Sequence, residues 1–134
     1  MMRAIAAIGA TGVVFLILDA IWLTVVGGRL YRPILGDLLA PSVNWPAAVA
    51  FYLIYLGGIG FFAVWPALDQ GQWTRAALNG AVLGLVAYAT YDLTNQATLR
   101  TWSTTITLAD IAWGTFVTCA AATAGYFAGR MVGR

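Results

Sequence analysis

Residues 4–26 read AIAAIGATGVVFLILDAIWLTVV, a run whose only charge is Asp19. A bilayer core about 30 Å thick takes roughly 20 apolar residues at a helical rise of about 1.5 Å each. The run therefore predicts a membrane-spanning helix. A secretory signal has an apolar core of roughly 7–15 residues followed by a small-x-small cleavage site. This run is longer and no such site follows, so it reads as a retained helix.

Three further runs have the same character. Residues 45–68 carry no charge, residues 76–98 carry only Asp92, and residues 106–128 carry only Asp110. No strand-like alternation competes with them, and in lipid a helix satisfies its own backbone polar groups. The expectation is an all-α fold, an integral membrane four-helix bundle, with residues 1–134 as a single transmembrane domain.

Composition agrees. Of the 134 residues 61% are hydrophobic and 9% charged, against about 25% charged in a soluble domain. The charged set is seven Arg and five Asp, with no Lys, Glu or His. Without His there is no imidazole base and no His-ligated haem. Without Lys there is no Schiff-base chemistry. The single Cys119 sits among Ala and Thr and reads as a packed small residue, not a nucleophile or part of a Cys-based zinc site. No acid or sulfur spacing marks a metal site, and no Gly-Lys-Ser/Thr loop or basic tract marks nucleotide or nucleic-acid binding.

Four spans place both termini on one side with Arg3, Arg75, Arg130 and Arg134, leaving Arg29, Arg32 and Arg100 on the other. The bias favours cytoplasmic termini. Trp45, Trp65, Trp73 and Trp102 fall near span ends, where interfacial anchors belong. Residues 27–44 form the one long connection. Pro33 suits the first turn of a short helix there, and the intervening Leu, Ile and Tyr residues suit either a surface-lying helix or an ordinary loop.

Chemistry concentrates on three aspartates. An Asp at the centre of a spanning helix costs about 2.5–3.5 kcal/mol on insertion scales, so Asp19, Asp92 and Asp110 are expected to face inward with partners. All three fall at one depth, the outer leaflet if the termini are cytoplasmic. On the third run Gly80, Gly84, Tyr88, Asp92 and Asn95 share one helical stripe with Tyr91 and Thr94 beside it. Gly12, Phe15, Asp19 and Trp22 share another on the first, as do Asp110, Trp113, Gly114 and Val117 on the fourth. The pattern Asp-x-x-Trp-x-Thr occurs twice, at 19–24 and 110–115, which lets an indole N–H serve a carboxylate on its own or a facing helix. Gly80 and Gly84, and Gly125 and Gly129, permit close helix approach, inside the chain or in a homodimer. Asp92, Asp110 and Asp19 are the catalytic candidates, and Trp22, Tyr88, Tyr91, Asn95 and Trp113 the ligand-binding ones. The same polar groups also suit simple hydrogen bonding between helices.

Leu18-Asp19-Ala20-Ile21-Trp22-Leu23, Tyr88-Ala89-Thr90-Tyr91-Asp92-Leu93-Thr94-Asn95 and Asp110-Ile111-Ala112-Trp113-Gly114 together resemble the bacterial family catalogued as domain of unknown function 2177. The most specific part is Tyr91 to Asn95 followed by Ala97-Thr98-Leu99, and the likeness covers nearly the whole chain. It implies a four-helix protein of the bacterial inner membrane and supplies no reaction, cofactor or catalytic assignment. Three functions stay open: binding or modifying a lipid or apolar small molecule, proton- or cation-coupled transport, and a structural role in a membrane complex.

Overall fold

The computed structural model describes residues 1–133; Arg134, grouped above with the terminal arginines, lies outside them. Among the described residues there is no strand. Helix α1 (Met2–Val25) continues through a π-helical turn (Gly27–Tyr31), the short α2 (Arg32–Leu35) and a 3-10 turn (Gly36–Leu38). The connection 27–44 is thus helical as far as Leu38. Helix α3 (Trp45–Ile59) passes through a second π turn (Gly60–Val64) into α4 (Trp65–Gln70), and α5 (Trp73–Thr98) and α6 (Thr104–Val132) follow.

Both π turns end two residues before a proline, Pro33 and Pro66. A proline has no N–H and its ring crowds the carbonyl four residues back, which widens the preceding turn. For Pro66 that carbonyl belongs to Phe62, and the side-chain amide of Asn79 on α5 donates to it at 3.0 Å. A neighbouring helix thereby serves the acceptor that proline leaves open. Thr11, Thr24, Thr90, Thr98, Thr115 and Thr123 each donate to the carbonyl four residues earlier, so their hydroxyls add no unmet polarity inside apolar helices. Gly71, at φ 68°, closes α4 in the left-handed conformation, which a residue without Cβ adopts at little cost. The chain reverses into α5 within two residues.

Helix α6 is the central rod. Its buried stripe includes Gly114, Val117, Thr118, Ala121, Ala122, Gly125 and Gly129, the i, i+3, i+4 repeat of a contact face. On one side, a Cβ at Gly80 or Gly84 would run into α6 at Thr118 or Gly114. On the other, a Cβ at Gly125 would run into Thr11 and Ala7 of α1. Both glycine pairs are therefore used within the chain. Arg3 lies by Gly133 and Trp22 by Trp113, so α1 and α6 are antiparallel.

The outside is apolar: Leu53, Ile54, Phe61, Phe62, Leu78, Val86, Leu108 and Phe116 are all more than half exposed. A soluble monomer rarely shows so much contiguous apolar surface; a bilayer covers it. Met2–Leu38, Trp45–Gln70 and Thr104–Val132 are long and apolar enough to cross a membrane. Helix α5 has 26 residues, about 39 Å at 1.5 Å per residue, and is more polar. Its Asn79, Thr90, Asp92, Thr94, Asn95 and Gln96 account for that. The all-α integral membrane reading holds.

Candidate functional site

Each of the three aspartates lies six residues from a helix terminus at one end of the molecule: Asp19 from Val25, Asp92 from Thr98, and Asp110 from Thr104. The 27–44 connection lies against that end. The buried Asp19 carboxylate accepts from the phenol of Tyr52 on α3. The Asp110 carboxylate accepts from the phenol of Tyr31, which the first π turn carries inward. The Tyr31 oxygen in turn accepts from the Trp22 indole N–H at 2.8 Å. The indole thus serves a phenol, not a carboxylate directly, and the Trp113 N–H has no partner among the described residues.

The two Asp-x-x-Trp segments meet face to face. Trp22 and Trp113 stack with ring centroids 4.5 Å apart and planes 8° apart. Because the helices are antiparallel and each Asp precedes its Trp by three residues, the carboxylates lie on opposite sides of the stack along the helix axis.

Around this centre lies a cavity of about 580 Å³. Its inner wall holds Asp19, Trp22, Tyr88, Tyr91, Asp110 and Trp113; its outer wall is the connection, with Tyr31, Arg32, Leu35 and Leu39. Six of the eight candidate residues named above therefore come together. Asp92 and Asn95 are not among the lining residues.

Asp92 has a different surrounding. It lies on the buried stripe of α5 with Ala76, Gly80 and Gly84, the stripe turned to α6. It is fully buried, and among the described residues neither carboxyl oxygen has a hydrogen-bond partner. In register it sits between Tyr88, whose ring covers Gly114, and Gln96, whose amide bonds Thr104 and Thr107 of α6. The expectation of partners is met for Asp19 and Asp110 and not for Asp92.

Sequence reasoning missed Tyr31, Tyr52 and Arg32. Tyr52 lies seven residues inside α3, at the depth of the aspartates, and that shared depth was a usable signal. Tyr31 sits in a stretch read as a connection, and nothing local announces that its ring turns inward. Tyr55, also missed, bonds Thr118 at 2.6 Å and meets Tyr88 edge-on at 6.3 Å, joining α3 to α5 and α6.

A family model described as a predicted membrane protein, DUF2177, matches residues 4–127. No curated protein matches the chain, and no solved structure does.

Proposed function

Since the chain belongs to the DUF2177 family of predicted membrane proteins, we propose that it is a four-span protein of the bacterial inner membrane whose cavity binds an amphipathic, lipid-like molecule. One observation carries the reading: a cavity of about 580 Å³ at one end of the helices combines two carboxylates, four aromatic rings from three helices and a guanidinium. Small-molecule sites have this make-up, apolar walls with a few convergent polar groups, at volumes of about 300–1,000 Å³. Polar groups placed only to join helices have no reason to line an open space.

In this reading α5 is the fourth span. With cytoplasmic termini, as the arginine distribution argues, the cavity opens at the outer face. Any acid–base step on the occupant falls to Asp19 and Asp110, the carboxyl groups inside the cavity. Asp92 is excluded from that step by its burial between helices.

Native mass spectrometry on gently purified protein tests the proposal, with Asp110→Asn beside the wild type. A defined lipid or small molecule held by the wild type and lost from a folded Asp110→Asn protein supports it. A wild type that retains no molecule which the folded Asp110→Asn protein loses refutes it.

A further inference from the structure

A second cavity, of about 300 Å³, lies on the other side of Tyr88, Tyr91 and Asp110. Those three residues line both cavities. The remaining walls of the second are Phe51 of α3 and Ala87 of α5, so its character is apolar. Phe51 is 47% and Tyr91 59% exposed, which opens the space sideways, between α3 and α5, toward the bilayer. The fold explains the gap. α4 and the second π turn pack on α5, whereas α3 itself leans on α1 and scarcely approaches α5. The bend before Pro66 thus holds the helix pair together at one end and apart at the other.

The charges of the larger cavity are also laid out unequally. Asp19 and Asp110 flank the stacked indoles on opposite sides, and Arg32 stands in the outer wall next to Tyr31, whose phenol donates to Asp110. An ammonium group fits beside the Asp110 carboxylate in this aromatic-lined wall. A phosphate fits the Arg32 position. We infer that the occupant is a zwitterionic aminophospholipid: its ammonium enters beside Asp110, its phosphate meets Arg32, and an acyl chain leaves sideways between Phe51 and Ala87. This deepens the proposed binding role and rests on it.

The test uses full-length protein in lipid nanodiscs doped with phosphatidylethanolamine bearing a mid-chain diazirine. After photolysis, adducts are mapped by peptide mass spectrometry. The expected result is labelling at Phe51 and Ala87 several-fold above the lipid-facing Leu53 and Ile54. The same chain on phosphatidylglycerol, which has no amine, is expected to label the slot several-fold less. Ala87→Phe, which fills the slot from one wall, is expected to lower the Phe51 adduct several-fold; the wild-type pattern decides the question even if this variant fails to fold.

Even labelling of Phe51, Ala87, Leu53 and Ile54 overturns the lateral slot. If native mass spectrometry still finds a molecule lost in Asp110→Asn, the cavity itself survives that result. Equal slot labelling by the two lipids overturns the ammonium assignment. A protein with neither slot adducts nor a retained molecule overturns both this inference and the binding role.

Discussion

The Trp22 and Trp113 indoles lie nearly parallel, 8° apart, with centroids 4.5 Å apart, although 91 positions separate them in the chain. Each follows an aspartate by three residues, on helices that run in opposite directions. The stack locks α1 against α6 between the two carboxylates, which lie on opposite sides of it along the helix axis. It also gives the cavity a rigid floor.

Stacked aromatic pairs contribute about 0.5–1.5 kcal/mol beyond their buried area. A double-mutant cycle of Trp22→Leu and Trp113→Leu is expected to show coupling in that range. Unfolding in mixed micelles at increasing denaturing detergent measures it. Additive effects of the two substitutions would mean that the rings pack independently.

Tyr31 joins the Trp22 N–H to the Asp110 carboxylate. Tyr31→Phe keeps the ring and removes both bonds, leaving a polar group on each side unmet. The expected loss is about 1–3 kcal/mol, together with weaker retention of the cavity's occupant. Tyr91→Phe is the control, because Tyr91 lines the cavity without such a link. Equal stability of the two variants would show that the phenol bridge contributes nothing.

Asp92 is expected to behave in the opposite sense. Its oxygens are buried and have no partner among the described residues, so replacing the carboxyl with an apolar side chain of similar size removes a desolvation cost. Asp92→Leu is expected to match or exceed wild type in thermal stability and to keep the cavity's occupant in native mass spectrometry. Marked destabilisation would reveal that the carboxyl has a partner in the membrane, a water or a proton-linked role.

Gly114 lies under the Tyr88 ring, whereas a Cβ at Gly57 meets nothing within 4 Å. Gly114→Ala is expected to cost about 1–3 kcal/mol by forcing the ring and α5 outward. Gly57→Ala is expected to be neutral or stabilising, by up to about 1 kcal/mol from helix propensity. Detergent unfolding of the two variants side by side gives the comparison. A neutral Gly114→Ala would contradict the close α5–α6 approach.

The span assigned to α5 is checked by labelling. In a Cys119→Ser background, Ser42→Cys and Ser103→Cys are expected to react with a membrane-impermeant thiol reagent from one side, and Gln72→Cys only from the other. Reaction of all three from a single side would show that α5 does not cross.

By itself, the sequence determined the solvent and the fold class. Long apolar runs with almost no charge can only be helices in lipid, because no other local structure meets the backbone's hydrogen-bonding need there. It also marked Asp19 and Asp110 with their tryptophans, since buried acids in such runs are too costly to be incidental. Helical periodicity put Asp92 on a stripe with Gly80 and Gly84, but the same stripe suits a cavity wall or a helix contact. The tertiary structure decided between them: the glycines draw α5 onto α6 and Asp92 goes into the seam. It also decided that Tyr31 and Tyr52 serve the carboxylates, across 79 and 33 residues. Such pairings depend on where helices cross and how far each is rotated. Those are set by close packing and by two proline-linked π turns acting over the whole fold, and no local pattern of residues encodes them.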